Sequence, residues 1–143
     1  MLSSLKQQAR LEGMFLGLGV SMRLASRLSR RFGEDLQKRD GIAEIRTSDY
    51  RVAWCYHIER GRVRFNRGSH PIPDYAMVYK DVPTALDIMA KGTDEAFMQA
   101  MMDGKIAFEG DLEFGMWFNE ILKNLGNMIQ ETMGAFRLKR ARK

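Results

Sequence analysis

The chain has 143 residues, a length that fits one domain, and its hydrophobic fraction of 45% is sufficient to form a buried core. Its longest uncharged apolar stretch, residues 13–22, is too short to span a bilayer, and its single cysteine excludes a disulfide within the chain. Because only two histidines accompany that cysteine, the sequence predicts no metal site, and we expect no cofactor and a reducing, cytoplasmic setting.

Positive charge is concentrated at the two ends of the chain, although the net charge is only +5. Residues 1–32 contain six basic residues against one acidic residue, Glu12, and the last seven residues, 137–143, read RLKRARK. Such basic segments are typical of proteins that contact membrane headgroups or nucleic acids, and they also occur where charge serves only solubility. We therefore expect peripheral contact with the inner membrane through the N-terminal helix and the basic tail 137–143.

An amphipathic N-terminal helix is predicted over residues 1–34, because apolar residues recur there at spacings of three and four. The apolar positions are Leu11, Met14, Phe15, Leu18, Met22, Ala25, Leu28 and Phe32. This face can pack on the rest of the chain, on a second copy in a homodimer, or in the headgroup zone of a membrane. The sequence leaves these three alternatives open.

From residue 41 onwards the apolar period changes to two, which indicates β-strands. In the clearest hairpin Trp54, Tyr56 and Ile58 lie on one face, and the tight turn falls at Arg60-Gly61. The predicted strands fall around residues 42–48, 52–59, 63–65, 75–79 and 105–109.

Three further helices are predicted from their N-terminal capping residues, which are Asp81, Thr93 and Asp111. The last helix is long, and its apolar stripe runs from Phe114 to Phe136. Strands and helices are segregated along the chain rather than strictly alternating. The sequence therefore predicts an α+β fold with a mostly antiparallel five-stranded sheet covered by helices.

This order of elements resembles that of the sterol carrier protein type 2 domain. The most specific local match is Gly104-Lys105, the short strand 106–109, and then Gly110-Asp111 leading into a helix rich in methionine and bulky apolar residues. The resemblance covers roughly residues 35–130 and implies a sterol-carrier-like lipid-binding domain at 35–136. The N-terminal helix is an addition to the minimal domain, in the style of a bacterial member.

The resemblance implies non-catalytic binding or carriage of a hydrophobic small molecule, such as a lipid, fatty acyl chain, sterol or isoprenoid, in an apolar tunnel. Bacterial members of similar style imply an alternative, in which the chain presents polyprenyl quinone intermediates to biosynthetic enzymes. Eleven methionines suit a tunnel because their side chains adapt to varied shapes, although they also suit an ordinary core. The predicted lining residues are Met89, Phe97, Met98, Met101, Met102, Phe108, Phe114, Met116, Trp117, Phe118, Ile121, Leu122, Leu125 and Met128.

No catalytic constellation is recognisable, so the sequence predicts that the chain is not an enzyme. Cys55 fits a small buried hydrophobe better than a nucleophile. Asp111 fits a helix cap and Glu109 a solvent-facing strand residue better than the two fit a catalytic pair of carboxylates. P-loop, dinucleotide-binding and zinc-protease motifs are also absent from the sequence.

Nucleic-acid binding through the basic strands and tail is the alternative of another class. Arg62 and Arg64 alternate with Val63 and Phe65, so the cations and the aromatic ring are predicted to face opposite sides of the sheet. Platforms that stack bases place both on one face, and the sequence therefore disfavours this alternative.

Overall fold

The structure is a computed structural model that describes the backbone of residues 2–141 and the side chains of residues 3–134. Phe136 and the basic tail 137–143 therefore lie outside the residues whose side chains are described. The elements in chain order are α1 (Leu2–Leu28), α2 (Arg30–Leu36), β1 (Gly41–Thr47), β2 (Ala53–Glu59), β3 (Arg62–Arg67), β4 (Tyr75–Tyr79), α3 (Val82–Lys91), α4 (Asp94–Met102), β5 (Ile106–Gly110) and α5 (Leu112–Ala141).

The five strands form one sheet in the order β3-β2-β1-β4-β5. Neighbours pair antiparallel except for β1 and β4, which run parallel with Ile45 opposite Met77. The predicted α+β class is confirmed, but the prediction of a mostly antiparallel sheet is wrong, because the sheet is mixed. Apolar alternation marks a strand without revealing the direction of its partner. Here the hairpin β2–β3 and the segment 68–74 make the crossover that a parallel pair requires.

The predicted hairpin is confirmed, and its turn lies at Arg60-Gly61 with positive φ angles of 51° and 78°. The strand register places Tyr56 opposite Phe65 and Trp54 opposite Arg67. These residues share the face of the sheet that the helices cover. The opposite, outer face carries Arg62 and Arg64 of β3, as the alternation predicts.

The N-terminal segment is two helices rather than the predicted single helix over residues 1–34. Ser29 leaves the helical conformation, with φ −115° and ψ 116°, and its hydroxyl accepts a hydrogen bond from the Phe32 amide at 3.2 Å. Serine is a favoured N-cap, so the break starts α2, which ends at Leu36. Because apolar spacing continues in register across this one-residue break, periodicity could not reveal it.

Helix α1 packs on the sheet and belongs to the main core. Leu11, Phe15 and Met22 are fully buried, and the Tyr56 hydroxyl donates to the Phe15 carbonyl at 2.8 Å. Arg23 Nε donates to the carbonyl of Val63 on the edge strand β3 at 3.2 Å. The helix thus covers both the sheet face and part of its edge.

Helix α1 also approaches the sheet closely at one glycine. A Cβ on Gly19 would lie 2.5 Å from the Phe65 ring, whereas a Cβ on Gly17 would meet nothing within 4 Å. The glycine at position 19 is therefore a packing requirement, since any larger residue would push the ring away.

The predicted helix caps are confirmed. The side-chain oxygens of Asp81, Thr93 and Asp111 accept hydrogen bonds from the amides of Thr84, Ala96 and Phe114 at 2.8, 3.1 and 3.2 Å. Over the described residues, none of the helices has both the length and the apolar character needed to cross a membrane.

Candidate functional site

A row of aromatic rings lies on the helix-covered face of the sheet. It runs from Phe97 on α4 through Phe108 on β5 and Tyr75 on β4 to Phe118 on α5, with neighbouring ring centroids 6.2, 6.0 and 6.4 Å apart. From Phe118 the row continues to Tyr56 on β2, at 6.3 Å. Alternating strand residues and the inward face of α5 therefore combine into one continuous apolar wall.

Ten of the predicted lining residues belong to the cluster that contains this row. Four of them are buried, namely Phe114, Phe118, Ile121 and Leu125. Six are half-buried against the same cluster, namely Met89, Phe97, Phe108, Trp117, Leu122 and Met128. The structure therefore brings these ten residues together between the sheet and the helices.

The remaining four predicted residues face solvent. Their exposed fractions are 62% for Met98, 41% for Met101, 81% for Met102 and 72% for Met116. Apolar residues cover most of the circumference of α4, so spacing alone could not identify its inward side. Met116 lies two residues from both Phe114 and Phe118, and because successive helical residues are rotated by about 100°, it points away from the sheet.

Helix α4 is attached loosely above the aromatic row. Ala100 is its only buried residue, and Phe97 is half-buried against Phe108. An ion pair of 3.9 Å between Lys123 Nζ and Asp94 joins two exposed side chains and stabilises little. Few interactions therefore hold α4 over the wall.

Sequence reasoning missed a polar pair within this apolar wall. Asn119 Nδ2 donates to the Tyr75 hydroxyl at 3.4 Å, while Asn119 Oδ1 is buried and has no partner among the described residues. Burial raises the pKa of Tyr75 to about 12, although the bond from Asn119 opposes the shift, so the phenol stays neutral. The available signal was an asparagine directly after Phe118, on the margin of an otherwise apolar stripe.

The outer face of the sheet holds a separate cluster of buried charged and polar groups. Glu44 accepts from Arg46 Nε at 3.1 Å and from the His70 amide at 2.6 Å, and the Cys55 thiol lies 3.5 Å from its carboxylate. The segment 68–73 covers this cluster, which buries Glu44 and Arg46 almost completely. These contacts hold the crossover segment on the sheet.

The same cluster shows why Cys55 is a poor nucleophile. Burial first, and then the charge of Glu44 and its hydrogen bond to the thiol, raise the pKa of Cys55 to about 12. Among the described residues, no group of three or more His, Cys, Asp or Glu side chains is arranged to hold a metal ion.

A groove of about 500 Å³ lies between α2 and the middle of α5, apart from the aromatic row. Phe32 and Met128 contribute apolar surface to it, and Asn124, Asn127 and Glu131 contribute polar atoms. Only Met128 among the predicted lining residues borders it, so the groove and the aromatic row are different surfaces.

Neither a family model nor a curated protein matches this chain. Among solved structures, sterol carrier protein domain 2 of Helicoverpa armigera matches 79% of this chain and 87% of its own, with a TM-score of 0.56 and 13% identity. Sterol carrier protein 2 of Yarrowia lipolytica matches 75% of this chain and 88% of its own, with a TM-score of 0.52 and 14% identity. The ubiquinone synthesis protein UbiJ-SCP2 matches 82% of this chain and 94% of its own, with a TM-score of 0.53 and 9% identity.

The sec-alkylsulfatase Pisa1 from Pseudomonas sp. also matches 64% of this chain at 20% identity. This chain spans only 14% of that enzyme's length and the TM-score is 0.47, so the likeness carries no argument about activity. The three sterol carrier matches each cover at least three quarters of both chains. The chain therefore has the fold of the sterol carrier protein type 2 domains, which the order of its elements predicts.

Proposed function

We propose that the chain binds and carries a hydrophobic small molecule, without performing chemistry on it, between the sheet and helices α4 and α5. The observation that carries this proposal is the continuous aromatic wall beneath a helix with a single buried residue. Segments with few buried contacts open at the lowest free-energy cost. An outward shift of α4 is therefore the least costly way to admit a ligand beside Phe108.

The energetics favour an alkyl or isoprenoid ligand. Burial of each methylene contributes about 0.8 kcal/mol, so a chain of about twelve carbons contributes roughly 10 kcal/mol before the costs of association. Those costs are about 4–15 kcal/mol, which makes binding feasible for long chains and weak for short ones. Such a site needs no charged partner, and its specificity for chain shape would be loose.

The experiment that tests this proposal is solvent extraction of the purified protein, followed by mass spectrometry of the extract. Phe97→Asp places a carboxylate in the proposed wall at a half-buried position, and it should lower the recovered lipid at least fivefold. Met102→Asp is the matched control, because it adds the same charge to the same helix at a side chain that is 81% exposed. Ile121 is unsuitable for this test because it is 1% exposed, and a charge there would unfold the core.

Recovery of a stoichiometric lipid from the wild type and the Met102→Asp variant, and its loss from Phe97→Asp, supports the proposal. A wild-type extract without lipid, together with no binding of added alkyl probes, would contradict it.

A second candidate function is presentation of polyprenyl quinone intermediates to biosynthetic enzymes. It is supported by the match to UbiJ-SCP2, which covers 94% of that chain. The extract distinguishes the two candidates, since this function requires ring-bearing polyprenyl compounds rather than acyl lipids.

We also propose that α1 brings the domain to an anionic membrane on its cytoplasmic side. Opposite its buried face, the helix exposes Leu16, Val20, Leu24 and Leu28, which follow one another at intervals of four residues. Its only acidic residue, Glu12, is turned inward and forms an ion pair with Arg67 at 2.7 Å. An apolar stripe on a helix whose exposed charges are all basic suits the headgroup zone of anionic lipids.

A further inference from the structure

The Tyr75–Asn119 pair presents one free donor and one free acceptor inside the apolar wall. The Tyr75 oxygen accepts from Asn119 Nδ2, which leaves the phenolic hydrogen without an acceptor among the described residues. Asn119 Oδ1 is buried and unpaired over the same part of the chain.

The pair is held in place by its neighbours. The Tyr75 ring stacks on Phe108 at an interplanar angle of 14° and contacts Phe118. Gly115, one turn before Asn119, leaves room for the tyrosine ring, since a Cβ there would overlap it. The two polar groups are therefore fixed at the centre of the aromatic row, where a buried unpaired polar atom costs free energy.

The described contacts of the pair are with uncharged residues. The nearest cation along α5, Lys123, is exposed and directed to Asp94. A carboxylate bound at this point would lose its hydration without gaining a counter-charge, which is strongly unfavourable. An ether or ester oxygen only accepts hydrogen bonds and would leave Asn119 Oδ1 unpaired.

We infer that Tyr75 and Asn119 bind the hydroxyl group of the carried molecule, so the preferred ligand is a long-chain alcohol or phenol rather than a fatty acid anion. A hydroxyl accepts from the Tyr75 hydroxyl and donates to Asn119 Oδ1, and it thereby satisfies both free groups at once. A few fixed polar groups in an apolar site are the usual means of orienting a ligand. This inference rests on the proposed function, because it assigns the polar end of the same site.

The test compares three probes of one chain length by calorimetric titration: 1-decanol, 1-methoxydecane and decanoate. Wild-type protein should bind decanol about fivefold more tightly than the ether, which corresponds to one net hydrogen bond, and should bind decanoate most weakly. Asn119→Leu should lower the affinity for decanol to that for the ether, and it should leave the ether unaffected. Tyr75→Phe should weaken both, since each probe accepts from the phenol.

Asn124→Leu is the matched control, because it makes the same change on the same helix at a residue that borders the α2–α5 groove. Thermal melting and circular dichroism identify any variant that fails to fold, and the conservative Tyr75→Phe change retains the ring that Gly115 and Phe108 contact.

The expected pattern, with Asn124→Leu behaving as wild type, supports the inference. Equal binding of decanol and the ether by wild-type protein would overturn it while leaving the proposed function intact, since the pair would then hold only water. Failure of all three probes to bind would overturn the inference and the proposed function together.

Discussion

The buried ion pair on the outer face of the sheet gives the sharpest prediction for stability. Glu44→Gln keeps the shape of the side chain but removes its charge and replaces one acceptor oxygen by a donor NH2 group, which must face either Arg46 or the His70 amide. The guanidinium, whose side chain is 8% exposed, then keeps the Thr47 carbonyl at 3.2 Å, Glu109 at 3.4 Å and the Tyr50 ring, whose centroid lies 4.1 Å away. Breaking a buried pair from one side costs about 3–5 kcal/mol, and because partly solvated Glu109 remains, we expect a loss of about 3 kcal/mol.

The assay is equilibrium unfolding in urea, with the free energy of unfolding compared at a constant m-value. Glu109→Gln is the matched control, because it removes a partner of the same guanidinium whose side chain is 62% exposed. Exposed pairs contribute about 0–1 kcal/mol, so this variant should lose about 0.5 kcal/mol. The double variant Glu44→Leu/Arg46→Leu should be more stable than Glu44→Gln, since it leaves no unpaired buried charge.

This reasoning is refuted if Glu44→Gln and Glu109→Gln have equal free energies of unfolding. It is also refuted if the double leucine variant is the least stable of the three, because the pair would then contribute more than its burial costs.

Three further predictions concern α1 and Tyr75. Gly17→Ala should raise the free energy of unfolding by about 0.5–1 kcal/mol because alanine has the higher helix propensity. Gly19→Ala should lower it because the new methyl group meets the Phe65 ring. Urea unfolding measures both changes, and changes of the same sign would contradict the packing. Leu24→Asp should reduce flotation with phosphatidylglycerol-containing vesicles at least threefold relative to a Ser3→Asp control, and unchanged flotation would remove the outer face of α1 from membrane contact. Because folding raises the pKa of Tyr75 from 10 to about 12, its contribution to stability is complete below pH 10 and is lost as the pH rises towards 12. Tyr75→Phe should therefore reduce the fall of the urea midpoint over this pH range. An equal fall in wild type and variant would contradict the prediction.

Local chemistry explains what the sequence could predict. The hairpin turn follows from Gly61 beside a two-strand alternation, and the caps at Asp81, Thr93 and Asp111 follow from side-chain oxygens placed before apolar-periodic segments. Each of these features depends on residues within a few positions of one another. The predicted strands and the last three helices were therefore recoverable without tertiary information.

The errors arose where distant residues decide the outcome. The parallel pairing of β1 with β4 depends on a segment held by Glu44 through the His70 amide, a contact 26 residues apart. The inward side of α4 is set by Phe97 meeting Phe108. The polar pair in the wall joins residues 44 positions apart. The spacing of apolar residues indicates the type of secondary structure, but it does not reveal which distant residue each side chain contacts.

Helix α1 also has a consequence for how the chain can be shortened. Arg23 donates a hydrogen bond to the Val63 carbonyl on the edge of β3. Leu11, Phe15 and Met22 of α1 cover the core residues of β2 and β3. Removing residues 2–28 would expose the edge of β3 and the aromatic side chains that α1 covers. An exposed edge strand beside an exposed apolar patch promotes self-association of molecules. A chain trimmed to its sterol-carrier-like part should therefore precipitate or form fibrils, and substitutions on the outer side of α1 are the way to study lipid contact separately.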